Sequence, residues 1–342
     1  MISGASQADT AVLVVDASLG AFEAGFGDNG QTREHAMLVR SLGVQQVVVA
    51  VNKLDAVGWS SDRFEGICDQ LRPFLLATGF AADKLVFAPV GAYTGENLLA
   101  RSGTALEAWY SGPTLVQQLD ALAVPQRLVT APLRLPISNV FKSAGGISGI
   151  GVSGRIESGI VAVGDKLRVL PGDETATVRV IELDAERQSW ASAGQNATVY
   201  LADIDAIYLS VGCVLCPPSH PIPLAAVFSA QIVVFDVKVP ITAGTAVELH
   251  HHSKSTSAVV SKLDALLDRA SGTVARANPR MLQRNSSARV QISIRAPPSS
   301  TGRRAVVPLE PFTKNKSMGR VLLRRGGETI AAGIVLEVLQ TG

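Results

Sequence analysis

The residues best placed to do chemistry together in this 342-residue chain are Asn52-Lys53-Leu54-Asp55. They close Gln46 to Asn52 (QVVVAVN), a continuous apolar run of strand length that reads as a fully buried strand. At the C-terminal edge of a parallel sheet, this places an amide, an ammonium stem and a carboxylate in a loop facing a ligand. The Asp55 carboxylate can accept paired hydrogen bonds from a guanine ring NH and its exocyclic amine, a pattern adenine does not present. Such charge-assisted bonds are worth roughly 1.5–3 kcal/mol each when desolvated. Asn52 can tie the loop to its neighbour and reach the purine edge, and the Lys53 methylenes can lie along the ring face. A polar turn after a strand would have the same composition, so a second loop matters. After Leu85 to Pro89, the segment Val90-Gly91-Ala92-Tyr93-Thr94-Gly95 lets backbone NH groups at Gly91 and Ala92 approach a purine oxygen, with Tyr93 able to cover the base. The bland reading of this loop is an ordinary turn with a core tyrosine.

Other candidate groups are weaker. In a strand, at most His250 and His252 of the triplet His250-His251-His252 share a face, and two ligands do not close a zinc site. Cys213-x-x-Cys216 has no second pair and lies in a strand pattern, which favours a structural role. His35 falls on the apolar stripe of a helix. Lys314, Lys316, Arg320, Arg324 and Arg325, with Arg303 and Arg304 before them, could neutralise RNA phosphates or meet an acidic partner, or simply be solvated loops.

The elements that position the two loops follow from periodicity. Ala11 to Asp16, Gln46 to Asn52 and Leu85 to Pro89 are strands. Between them run helical stripes, His35-Leu38-Val39-Leu42 closed by Gly43 and Phe64-Ile67-Leu71-Phe74-Leu75 with Pro73 bending it, and a last helix starts near Pro113-Thr114. This alternation implies a parallel sheet with helices on both faces over residues 1–124. From about Pro125 the pattern changes to short β-rich runs between glycine, proline and aspartate turns: Leu133–Val140, Gly151–Ile156, Lys166–Leu170, Thr175–Ile181 and Ala197–Leu201. A stiff connector at Pro217, Pro218, Pro221 and Pro223 precedes a second β unit with runs at Val227–Val239, Thr245–His250, Ala288–Arg295, Gly319–Leu323 and Ile330–Val338. The expected architecture is an α/β domain (1–124) followed by two all-β barrel domains (125–220 and 221–342). Hydrophobic residues at 47% supply cores, and a formal charge of +2 gives no whole-chain grip on nucleic acid or membrane. Three cysteines suit a reducing compartment, and no leader or spanning segment appears, so the expectation is cytoplasmic, with no membrane and no DNA partner.

Ser3-Gly4-Ala5-Ser6-Gln7-Ala8-Asp9, Gly30-Gln31-Thr32-Arg33-Glu34-His35-Ala36, Asn52-Lys53-Leu54-Asp55 and Gly326-Gly327-Glu328-Thr329-Ile330-Ala331-Ala332-Gly333 together resemble the translational GTPases of the elongation factor Tu and elongation factor one-alpha superfamily. The likeness covers nearly the whole chain. The compact Trp109-Tyr110-Ser111-Gly112-Pro113-Thr114-Leu115 resembles the class-II release factors or the HBS-like ribosome-rescue GTPases. Phe235 to Gly244 with Leu249-His250, and Val211 to Cys216, are closer to the HBS-like group. The resemblance implies GTP or GDP with magnesium as cofactor in the intact family member, a Pelota-type partner, the ribosome with possible rRNA contacts, and a monomer. It makes Asn52, Lys53, Asp55, Gly91, Ala92 and Tyr93 the guanine-binding set. A non-hydrolysing adaptor built on the two barrels is the reading outside enzymology.

The sequence departs from the family in its phosphate machinery. No segment fits G-x-x-x-x-G-K-[ST], and neither the switch threonine nor a D-x-P-G-H segment is present. The expectation is an incomplete P-loop-type GTPase domain that begins inside the switch helix, exposes an edge at Ala11–Asp16, self-associates, binds GTP weakly or not at all alone, and does not hydrolyse it. Gly91 replaces the usual family serine.

Overall fold

A computed structural model describes residues 2–27, 30–142, 149–268, 271–295 and 305–341; Arg303 and Arg304 lie outside them. The chain divides into two compact units, Met1–Pro125 and Gln126–Gly342.

The first unit contains helices α1 (Ile2–Ala5), α2 (Ala21–Phe26), α3 (Gln31–Leu42), α4 (Ser61–Thr78) and α5 (Leu115–Asp120) around strands β1 (Thr10–Asp16), β2 (Gln46–Asn52) and β3 (Leu85–Pro89). The strands form one parallel sheet in the order β1-β2-β3, with Val15 opposite Val51 and Val51 opposite Pro89. Val47 to Val51 are almost wholly buried, which is why this apolar run sits between the other two strands. Helix boundaries follow local chemistry. Ser60 Oγ accepts the Arg63 N–H at 3.2 Å to start α4, and Gly43 and Gly79, at φ 111° and 103°, end α3 and α4 in a conformation that side chains disfavour. One sheet face packs Leu13, Val15, Val49 and Phe87 against Phe22, Ala36, Ile67 and Leu71. On the other face Ala50, Ala88 and Val90 meet Leu98 and Leu115. Over β1 that second face is open: Val12 is 42% and Val14 60% exposed, on a strand that pairs with β2 alone among the described strands.

The second unit holds two β systems. In the first, β4 (Leu135–Pro136), β5 (Asn139–Lys142), β6 (Ile150–Arg155), β8 (Lys166–Leu170), β9 (Glu174–Leu183), β12 (Asn196–Ala202) and β13 (Val214–Cys216) follow the path β4-β13-β8-β9-β12-β6-β5. β10 (Glu186–Gln188) pairs β9, and β7 (Ile160–Ala162) pairs β11 (Trp190–Ser192). The single segment 135–142 pairs β13 at its start and β6 at its end, which closes the ring. The second system comprises β14 (Leu224–Val234), β15 (Ile241–Thr242), β16 (Thr245–His251), β17 (Lys254–Leu267), β18 (Val274–Ala277), β19 (Met281–Leu282), β20 (Ser287–Ile294), β21 (Val307–Pro308), β22 (Arg320–Arg325) and β23 (Glu328–Thr341). The path β16-β22-β23-β14-β20-β17 returns to β16, a ring without a free edge. The run expected through Val239 ends at Val234, and the 14-residue β17 carries too many polar and charged residues to stand out as a strand pattern.

The two rings are joined by buried polar contacts. Arg134 donates from Nε and a terminal nitrogen to Glu310 Oε1 at 3.0 and 2.8 Å, and its other terminal nitrogen reaches Leu133 O and His220 O at 2.9 Å each. Asn315 Nδ2 donates to Ser158 Oγ at 3.3 Å. Among the described residues no helix is long and apolar enough to cross a membrane.

Candidate functional site

Two loops leave the C-terminal ends of neighbouring strands β2 and β3, as the parallel topology requires. Asn52 is the last residue of β2. Lys53 then takes a left-handed conformation, φ 62° and ψ 30°, which turns the chain into the 3-10 turn Leu54–Val57, closed by Gly58 at φ 65°. Leu54 is fully buried and pins the turn to the core; Asp55 beside it is half-buried. Among the described residues no hydrogen bond engages the Asp55 carboxylate, so both oxygens remain available to paired donors. The β3 loop joins this one through backbone and side chain. Val90 N–H donates to Val51 O at 2.9 Å, Leu54 N–H to Val90 O at 3.4 Å, and Ala92 N–H to Asn52 Oδ1 at 2.9 Å. The structure therefore brings Asn52, Gly91 and Ala92 together. With Asn52 Oδ1 accepting from Ala92, its amide nitrogen is the group left for a ligand. The Ala92 N–H, expected to face a purine oxygen, is already donated, so a ligand oxygen there has to share it.

Lys53 and Tyr93 are both exposed. Lys53 Nζ contacts Asp16 Oδ2 at 2.6 Å, tying the end of β2 to that of β1. Burial opposes the Asp16 charge, but hydrogen bonds from Lys53 and Ser18 outweigh it and hold the carboxyl below its usual range. Both partners are substantially solvated, so the pair contributes little to stability. Tyr93 is 97% exposed and packs into no core; it stands at the rim as a free aromatic face. Gly91 is buried, and a Cβ there would lie 2.9 Å from both Trp59 Cη2 and Thr94 Oγ1. The Trp59 ring fills the space that a serine would need, which accounts for the glycine.

Several supporting residues escaped the sequence reading. Asn97, fully buried, donates from Nδ2 to Pro89 O at 2.7 Å, and Glu96 accepts from Ser102 N–H at 3.1 Å and Ser102 Oγ at 2.6 Å. Burial works against the Glu96 charge, yet the Ser102 bonds lower its pKa. Trp109 Nε1 donates to Trp59 O at 2.8 Å, steadying the ring that walls Gly91. Arg63 of α4 donates to Ala17 O, Ser18 O and both Glu23 oxygens, and by that bond holds the Glu23 carboxyl down at about 2.

The cysteine pair, the histidine triplet and the basic group all lie in the second unit. Cys213 and Cys216 are buried; Cys213 Sγ lies 3.3 Å from Ser210 Oγ, and burial raises the Cys216 thiol. His251 is 1% exposed with no hydrogen-bond partner on either ring nitrogen among the described residues. In the basic group, Arg325 donates to Val239 O at 2.8 Å and Arg320 lies over the Phe312 ring at 5.0 Å, so part of it is spent within the barrel.

Comparison with known proteins adds to this geometry. The family description "Elongation factor Tu GTP binding domain" matches residues 1–126, "Elongation factor Tu domain 2" matches 149–216, and "GTP-eEF1A C-terminal domain-like" matches 227–336. The chain is 43% identical over 339 residues to Protein HBS1 of Drosophila melanogaster, covering 99% of this chain and 49% of that protein. It is 37% identical over 342 residues to elongation factor 1-alpha of Aeropyrum pernix, covering 99% and 75%. A solved structure of Sup35 complexed with GDP superposes with a TM-score of 0.57 at 31% identity, covering 99% of this chain and 81% of that one. This chain thus spans about half the length of the fly protein.

Proposed function

Because the chain belongs to the translational GTPase family of the elongation factor Tu and elongation factor 1-alpha type, we propose that loops 52–55 and 90–95 hold the guanine base of GTP or GDP, and that the whole protein is an HBS-like factor delivering a Pelota-type partner to stalled ribosomes for rescue and mRNA surveillance. The observation that carries the base assignment is the clasp of Ala92 N–H on Asn52 Oδ1 beside the untied Asp55 carboxylate. It fixes the distance between the two loops before any ligand arrives, so little ordering remains to be done on binding. Asp55 then accepts from the guanine ring NH and amine, Asn52 offers its amide nitrogen to the purine edge, and Tyr93 supplies an aromatic face. Residues 1–124 form the GTP-binding part in this reading, with 125–220 and 221–342 as its two barrels.

In an intact family member, GTP brings a triphosphate and magnesium. The side chains of this chain are assigned to the base alone, because the sequence contains no G-x-x-x-x-G-K-[ST] or D-x-P-G-H segment and no hydrolytic role falls to any of its residues. The HBS-like assignment rests on the 43% identity that runs over 99% of the chain. It is tested by immobilising the chain and offering purified Pelota and the stop-codon-reading release factor in equal amounts. Retention of Pelota is expected. Capture of the release factor in its place assigns the chain to termination, and capture of neither removes the partner assignment.

A further inference from the structure

The sheet of the first unit ends in β3, which pairs with β2 alone among the described strands. Val51, opposite Pro89, accepts from Val90 N–H, so Val86, Ala88 and Val90 turn their backbone groups toward β2. By alternation Leu85, Phe87 and Pro89 turn theirs outward. Several of those outward groups are already engaged. Pro89 O accepts from Asn97 Nδ2 at 2.7 Å, Phe87 O from Gln118 Nε2 at 3.5 Å, and Leu85 N–H donates to Ala82 O. The carbonyl of Leu85 and the N–H of Phe87 have no such partner among the described residues, and they straddle Val86.

This choice of free groups dictates direction. An antiparallel strand exchanges two bonds with one residue, and neither Leu85 nor Phe87 offers both its groups. A parallel strand places one residue opposite Val86, donating to Leu85 O and accepting from Phe87 N–H. Beside this edge lies a groove of about 410 Å³ between β3 and α4, with Phe64, Phe87 and Tyr110 as aromatic walls. Peptide residues opposite Leu85 and Phe87 point toward that groove, since neighbours in register share a sheet face. The α4 rim carries exposed Glu65 and Asp69 one turn apart. The Arg72 guanidinium sits 4.7 Å from the Phe87 ring centroid. As α4 runs opposite to β3, Glu65 and Asp69 lie nearer the end of the strand than Arg72 does.

We propose that this edge and groove bind an extended peptide segment of a partner protein, parallel to β3, with an apolar side chain opposite Leu85 and a lysine or arginine opposite Phe87. Strand addition supplies the main-chain bonds, the groove seats the apolar side chain, and the two carboxylates select the cation. The site is separate from loops 52–55 and 90–95.

The test uses the 342-residue chain and a fluorescein-labelled, end-blocked hexapeptide Gly-Leu-Val-Lys-Val-Gly, read by fluorescence anisotropy. Saturable binding is expected. It should weaken at least tenfold in the double variant Glu65→Lys/Asp69→Lys, whose unchanged thermal midpoint reports an intact fold. Replacing the peptide's lysine by glutamate, or methylating the amide nitrogen of its first valine, should abolish binding. No saturable rise up to about 1 mM peptide, binding that survives N-methylation, or equal affinity for the charge-reversed variant would each overturn the proposal.

Discussion

Removing the Glu310 carboxylate should destabilise the second unit far more than a surface substitution would. Arg134 is 5% exposed and Glu310 8%, and the guanidinium makes four contacts, two of them to Glu310 Oε1 at 3.0 and 2.8 Å. Glu310→Ala leaves a buried cation whose two remaining partners are neutral carbonyls. Breaking one side of a buried ion pair costs about 3–5 kcal/mol. In a unit of this size each kcal/mol moves the melting temperature by about 2–4 °C, so a fall of roughly 6–20 °C follows. Replacing both residues, Arg134→Met with Glu310→Leu, removes the uncompensated charge and should recover most of the loss, because the pair's own desolvation cost disappears with it. Differential scanning calorimetry of the wild type, both single variants and the double variant closes the cycle. If Glu310→Ala melts within about 2 °C of the wild type, less than 1 kcal/mol is at stake, and the idea that this pair clamps the two rings together is wrong.

Three further outcomes follow from the sites described. Asp55→Asn exchanges an all-acceptor group for one with a donor, so guanosine should lose, and xanthosine gain, its saturation-transfer NMR signal with the chain; an unchanged guanosine signal would remove Asp55 from the base site. Titration of the 342-residue chain with fluorescent GDP should show binding weaker than micromolar, and micromolar or tighter affinity would contradict the division of labour drawn above. Burial depresses His251 well below its ordinary range and His252 to about 4, with His252, Lys254 and His250 adding to the shift at His251. Below about pH 6.5 the unfolded chain takes up protons that the folded chain refuses, so stability should fall by roughly 1.4 kcal/mol per pH unit for each group, down to the folded pKa. Urea unfolding between pH 7 and 4.5 measures the slope, and His251→Leu should flatten it.

The parallel sheet and its two loops were legible because β2 is buried on both faces and so reads as an unbroken apolar run, with Asn52 to Asp55 breaking it at one end. The short helix α2 left no comparable trace: Phe22 and Phe26 are its only buried residues, too few to set a period. Strand β17 was missed for a related reason, since Lys254, Ser257, Ser261, Lys262 and Asp264 place polar groups within it while its register with β20 shifts twice. The loop contacts could be anticipated by residue type, as with Asn52, but not by partner. That Lys53 goes to Asp16, and that Trp59 occupies the room beside Gly91, depends on strand order and ring packing, which a linear sequence does not spell out.

Arg134 and Glu310 are 176 positions apart. At synthesis rates of about 5–20 residues per second, the arginine is added to the chain some 9–35 s before its carboxylate exists. During that interval the first ring can pair its strands, but it has a guanidinium with no counter-charge at the surface destined to be covered. Water must solvate it, so that surface stays wet and open. Arrival of residue 310 lets the interface dry, which makes the docking of the two rings a late, C-terminally timed event in the life of each newly made molecule.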